Sequence, residues 1–135
     1  MAGNTKKTFV VDASFVLAFL MPDENHLEID PIFNQFKASL IDLSASPVLP
    51  FEVTNGLKSA LMKKRITKDY CLNRIDEFFN YQIEIREVNF REVFLLAGKY
   101  NLTTYDASYL WLNKKFDAPL LTLDQKLKKL TSRKN

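Results

Sequence analysis

The sequence predicts an α/β fold with a parallel sheet covered on both faces. Three observations carry that expectation. Short runs rich in β-branched and aromatic residues, such as Thr8-Phe9-Val10-Val11, are too brief for helices and too apolar for loops. Segments with apolar residues at helical spacing stand between them, giving the order β-α-α-β-α-α-β-α-α-β-α. Strands joined by helical crossovers pair in parallel, and such a sheet is buried on both sides. The third observation is size: 135 residues fit one ordinary domain, expected to span residues 1–135.

Each element has its own signals. Thr8 to Val11 reads as a buried strand that ends at Asp12. Ala13 to Met21 follows with helical potential, and Pro22 stops it. From Asp23 to Ser39, Leu27, Ile32, Phe33 and Phe36 keep helical spacing, with a break expected near Pro31. Leu40 to Leu43 reads as a second strand. Beyond Pro47 and Pro50, the stretch Phe51 to Lys64 turns Val53, Leu57, Ala60 and Leu61 to one face. Thr67 N-caps a helix through Phe79, with Leu72, Ile75, Phe78 and Phe79 apolar. Gln82 to Val88 alternates around Ile83 and Ile85 like a strand. Asn89 to Tyr100 is again helical, with Phe90, Val93, Phe94, Leu96 and Ala97. Thr103 or Thr104 caps a helix that runs to Lys115. Pro119 to Thr122 is a last short strand, and Asp124 opens a final basic helix.

The composition is 47% hydrophobic and 26% charged, with three Gly and five Pro. No Gly/Ser linker, repeat or low-complexity run suggests a second domain. No stretch reaches the roughly 18 apolar residues of a membrane span. The basic-then-apolar start is interrupted by Asp12 and lacks a small-residue cleavage site, so it reads as strand and helix rather than a signal peptide. The single cysteine, Cys71, can form no internal disulfide, and a reducing cytoplasm is the expected compartment. The formal net charge is +3, but Lys114 to Asn135 alone carries +5. A basic tail fits a polyanionic partner. A solvated, frayed end explains the charge equally simply, and charge alone favours that plainer explanation.

Four acids stand at strand ends or helix starts: Asp12, Glu52, Asp106 and Asp124. Singly, each could be a helix cap or a partner for the helix dipole, a role that contributes about 0.3–1 kcal/mol. Their conjunction points elsewhere. In open parallel sheets the ligand crevice lies at the carboxyl ends of the strands. Asp12 and Asp124 follow strands, and Glu52 and Asp106 open helices that start at the same rim. Clustered carboxylates repel, so a protein keeps them mainly where a cation neutralises them. Oxygen-only ligation suits Mg²⁺ or Mn²⁺. Two such ions could activate a water and stabilise the leaving oxygen of a phosphodiester. Ser14, Thr104 and Thr122 stand beside the acids and could orient them, or simply cap helices.

These motifs resemble the PIN-domain family. VVDASFVLAFLMPDE is similar to its opening, a hydrophobic strand ending in Asp, then a small residue and a Ser or Thr. LPFEVTNGLKSALMKKRIT resembles the second motif, with Glu52 three residues before Asn55. TTYDASYLWLNKKFDAPLLTLDQKL resembles the third and fourth, with Asp106 opening a helix and Asp124 after Leu-Thr-Leu. The likeness runs from Phe9 to Leu130, and the compact length resembles VapC-type toxins of toxin–antitoxin pairs. It implies a three-layer α/β/α sandwich with a central, mostly parallel sheet, and Mg²⁺- or Mn²⁺-dependent endoribonuclease activity. It further implies a homodimer, RNA substrates such as tRNA or ribosomal RNA, and a cognate antitoxin protein that inserts into the active-site groove. By position, Asp12, Asp106 and Asp124 would be metal ligands, and Glu52 a ligand or a base that positions water. Ser14, Asn55, Thr104 and Thr122 would support them. Two departures are visible. Lys114-Lys115-Phe116-Asp117 replaces a small-residue turn, and the first seven residues extend beyond the usual start.

Other features carry less. His26, the only histidine, lacks a second His or a Cys nearby, which argues against a zinc site or a triad. Cys71 and Trp111 read as core. Lys63-Lys64-Arg65 could touch RNA phosphates or complement a helix end. Asp23, Glu24, Glu28 and Asp30 read as a solvated face. An aspartyl-phosphate phosphatase would want a second Asp where Ser14 stands, and a receiver domain would pair its acids differently. A catalytically inactive PIN scaffold that only binds RNA or a partner is the remaining alternative.

Overall fold

The structure, a computed structural model, describes residues 6–23 and 26–132. Its elements are β1 (Lys7–Val11), α1 (Ala13–Leu20), α2 (Asp30–Lys37), β2 (Ile41–Ala45), α3 (Leu49–Met62), α4 (Lys68–Tyr81), β3 (Glu84–Ile85), α5 (Phe90–Tyr100), α6 (Thr104–Lys115), β4 (Leu120–Leu121) and α7 (Gln125–Ser132). The order is the predicted one. Arg133 and Lys134 of the basic tail, Glu24 of the acidic face and most of the N-terminal extension lie outside the described residues.

The strands form one parallel sheet in the order β3-β2-β1-β4. The chain steps outward from β1 to β2 to β3, then crosses back past β1 to β4. Parallel crossovers are right-handed, so reversing direction moves the connecting helices to the other face. Accordingly α1, α3 and α4 pack together on one side, and α5, α6 and α7 on the other. The result is a sheet between two helical layers.

Burial follows this layering. Val10 and Val11 at the centre of the sheet are fully buried. One face is filled by Phe15, Phe19, Phe33 and Tyr81, with Phe19 and Phe33 stacked at 4.0 Å between ring centroids. A smaller core of Val93, Ala97 and Ala107 holds α5 against α6. Cys71 is buried, as expected, and its thiol meets the Leu57 carbonyl. A Cβ on Gly56 would meet Leu17 Cδ1 at 2.4 Å, so the glycine is what lets α3 approach α1 this closely.

Local chemistry moved several boundaries. The expected helix from Asp23 to Ser39 begins only at Asp30, and Pro31 lies in its first turn instead of breaking it. Proline costs nothing there because the first N–H groups of a helix have no intrahelical partner. Pro50 plays the same part in α3, which starts at Leu49 rather than Phe51. The second strand is shifted to Ile41–Ala45, pairing Lys7 to Val10 with Ile41 to Ser44 and leaving Leu40 exposed. The strand expected from Gln82 to Val88 shrinks to Glu84 and Ile85. Gln82 takes a left-handed conformation (φ 56°) that ends α4, so Ile83 is buried in the turn and Ile85 points to solvent. The alternation of these isoleucines therefore comes from a turn followed by an edge pair, and not from a long strand.

Candidate active site

β1 and β4 are neighbours, yet the helices that follow them leave to opposite faces. A crevice opens at the carboxyl ends of strands where direction reverses in this way. Asp12 ends β1 there and is 5% exposed. Its Oδ1 accepts from the Phe15 N–H (3.2 Å), which caps α1, and from the Ser14 hydroxyl (2.7 Å). Its Oδ2 accepts from the Thr122 hydroxyl just past β4. The same hydroxyls reach further: Leu123 N–H donates to Ser14 Oγ (2.9 Å) and Asp124 N–H to Thr122 Oγ1 (3.0 Å). The exits of β1 and β4 are thus tied through side chains, and Asp12 is held in one orientation.

The other acids arrive on helix starts. Asp124 caps α7, accepting from the Leu127 N–H at 2.9 Å. Asp106 lies in the first turn of α6, its own N–H capped by Thr103 Oγ1 (3.1 Å). Glu52 lies in the first turn of α3 and accepts from the Tyr109 hydroxyl of α6 at 2.8 Å. All four acids, with Ser14 and Asn55, line one cleft of about 340 Å³. Four helix N-termini, those of α1, α3, α6 and α7, meet at its rim, and Asp12, Thr103 and Asp124 cap three of them.

The acids feel one another. Burial raises the Asp12 carboxyl above its ordinary range; hydrogen bonds from Thr122, Ser14 and Phe15 oppose that, and Asp124 adds repulsion. Glu52 is raised by burial, lowered by Tyr109, and raised again by Asp106 and Asp12. Asp106 is raised by burial and by Asp124 and Asp12, with Lys126 offsetting part of this. Tyr109 is pushed far up by burial and by Glu52, so its hydroxyl stays protonated and serves as a donor. Among the described residues no three acids are drawn into a closed metal-ligand group. The donor set of carboxylate oxygens fits a hard divalent cation.

The sequence profile of the PIN domain matches residues 9–132. The chain belongs to the PIN-domain family. It is 31% identical over 123 residues to Ribonuclease VapC3 of Pyrobaculum aerophilum, covering 87% of this chain and 90% of that protein. Its fold is similar to the crystal structure of PAE2754 from Pyrobaculum aerophilum (TM-score 0.74, 21% identity, 93% of this chain and 80% of that one). It is also similar to VapC20 of Mycobacterium tuberculosis, described as a sarcin-ricin loop cleaving toxin (TM-score 0.65, 11% identity, 90% and 94%). At those identities the two structures bear on the fold.

Within this PIN domain, Thr104 falls outside the cleft. It is exposed at the start of α6, and Thr103 is the cap, because the hydroxyl that closes a helix start sits three residues before the N–H it accepts. Thr122 and Ser14 touch Asp12 directly. Tyr109 went unassigned to the site in the sequence, though its position three residues after Asp106 places both on one helix face. Elsewhere, His26 ties Met21 to Asp30, Arg65 is engaged by Asp23, and Trp111 bonds Glu92 through its indole N–H. Tyr109→Phe should remove the donor on Glu52 and push its carboxyl further up. Chemical denaturation should show a loss of about 1 kcal/mol, the usual net worth of such a bond. Carboxyl NMR titration should show Glu52 protonating at higher pH, and an unchanged titration would detach Tyr109 from its electrostatics.

Proposed function

We propose that this PIN domain is a metal-dependent endoribonuclease and the VapC-type toxin of a toxin–antitoxin pair. The observation that carries this is the cleft at the β1/β4 reversal, lined by Asp12, Glu52, Asp106 and Asp124 and, among the described residues, by no Lys, Arg or His. These acids would hold Mg²⁺ or Mn²⁺, which when bound makes a water acidic and neutralises charge on a phosphodiester. Asp12, oriented by Ser14 and Thr122, anchors the site. Glu52 would accept the proton of the attacking water; the water oxygen would bond to phosphorus as the bond to one sugar oxygen breaks, and that oxygen would leave as a hydroxyl after taking a proton from solvent. Asn55 borders the cleft beside Glu52. Kinship with Ribonuclease VapC3 supports RNA as substrate and a cognate antitoxin as protein partner; tRNA or ribosomal RNA is the substrate class we propose. A homodimer in the cytoplasm completes the assignment; no helix among the described residues is long and apolar enough to cross a membrane.

Total cellular RNA incubated with the purified protein should yield discrete fragments with Mn²⁺ or Mg²⁺ and none with EDTA. RNA left intact under every metal, by folded and antitoxin-free protein, would favour the scaffold that only binds.

A further inference from the structure

Two acids of the cleft are preceded by an aromatic residue: Phe51 before Glu52, and Tyr105 before Asp106. Both rings border a second hollow of about 580 Å³ with Val48, Glu52 and Asn55. Glu52 and Asn55 also line the acid cleft, so the two hollows adjoin. Phe51 is 78% exposed and Tyr105 59%. Neither ring is needed to fill the core.

The backbone beneath the rings is fixed. Ser108, buried in α6, donates to the Tyr105 carbonyl (2.6 Å) and pairs with the Ser46 hydroxyl (2.7 Å). Ser46 Oγ in turn accepts from the Val48 N–H (3.3 Å) on the approach to α3. A buried hydroxyl pair thus locks the two aromatic-bearing turns together from opposite faces of the sheet. Exposed rings on a rigid base, one residue from carboxylates that would handle a phosphodiester, suit a flat ligand attached to that phosphodiester.

We propose that Phe51 and Tyr105 form a slot that takes an unpaired RNA base beside the bond to be cut. The assignment rests on the nuclease function proposed above and narrows it to substrates whose bases are free to unstack, such as loops and single strands. Aromatic side chains are the usual platforms for such bases because every base has a π face. Asn55 at the shared rim adds an amide that can both donate to and accept from a base edge. A paired helix keeps its bases stacked inside and offers the slot nothing.

The test uses a single-stranded oligoribonucleotide carrying 2-aminopurine, mixed with the full chain in EDTA so that binding is read without cleavage. Stacking should quench the fluorescence, and a fully paired duplex of the same sequence should not be quenched. Phe51→Ala and Tyr105→Ala should weaken binding roughly 5- to 100-fold, the range for loss of one base–aromatic stack. Tyr105→Phe should retain it. Both side chains are exposed, so circular dichroism should report intact folds. Cleavage of the same strand with Mn²⁺ separates the two proposals. Cutting without quenching, or quenching that survives both alanine variants, overturns the slot and leaves the nuclease standing. Quenching without cutting under any metal supports the slot and removes the nuclease. Neither quenching nor cutting removes both. If the alanine variants change the protein's mass in solution but not the quenching, the rings are covered by a second copy of the chain, and the slot is overturned.

Discussion

Replacing Asp12 with Asn is expected to lower RNA cleavage by about 10³-fold or more while leaving the metal-free protein as stable as the parent. The first part follows from charge. Asp12 is the most buried of the four acids and would be the anchor for a cation; an amide carries no charge to hold it. A loss of that size corresponds to about 4 kcal/mol of transition-state stabilisation. The second part follows from shape. The Asn carbonyl oxygen can still accept from Phe15 N–H and Ser14, and its amide can donate to the Thr122 oxygen that now donates to Oδ2. Burial and Asp124 both disfavour the ionised form, so removing the charge relieves a cost. Asp12→Ala is the contrasting variant. It orphans the donors and removes the α1 cap, a loss of about 1 kcal/mol for the cap alone. Cleavage rates and melting curves for the two variants decide the matter. Undiminished cleavage by Asp12→Asn would remove Asp12 from the chemistry, and a large fall in its melting temperature would make the Asp12 charge structural.

The second large effect is the response of stability to pH and metal. Asp12, Glu52 and Asp106 all have folded-state carboxyls raised above their unfolded values. Between the unfolded and folded values the native state binds more protons than the unfolded chain. Stability from these groups is therefore fully present below the unfolded carboxylate range, and it declines as pH rises through the folded values. Asp23 runs the other way: hydrogen bonding to Arg65 lowers its carboxyl, so its contribution is lost at acid pH. In EDTA the melting temperature should accordingly peak in mildly acid solution and sag toward neutrality. Mg²⁺ or Mn²⁺ should reverse the sag, and increasingly so at higher pH, because metal requires ionised carboxylates. At a metal concentration 100 times the dissociation constant the gain is about 2.7 kcal/mol. For a domain of this size that is on the order of 10 °C. Scanning calorimetry with and without EDTA across pH measures it. A flat response to metal at neutral pH would mean that the acids do not assemble a cation site.

Several things were decided by local sequence. The succession of strands and helices follows from periodicity and capping, which act over a few residues. Thr67, Asn89 and Asp124 cap the helices that follow them because their side chains reach the N–H three residues on. The placing of Asp12 at a strand end, and of Glu52 and Asp106 in first helical turns, is equally local. Where reach was short but choices were degenerate, the sequence was ambiguous: Thr103 and Thr104 both precede Asp106, and only the backbone path selects Thr103. The isoleucines 83 and 85 could mark a strand until the turn at Gln82 is known.

Tertiary structure alone decided the rest. Strand order is set by which faces bury against which, so the placing of β4 beside β1, and with it the crevice, could not be read from any one segment. The bonds that build the cleft span long separations: Thr122 to Asp12, Tyr109 to Glu52, and Ser108 to Ser46. The sharing of one hollow by Phe51 and Tyr105 depends on the same closure. Local sequence specifies how the backbone hydrogen-bonds to itself nearby. Contacts between distant side chains exist only once burial of the sheet on both faces has brought their helices to one rim.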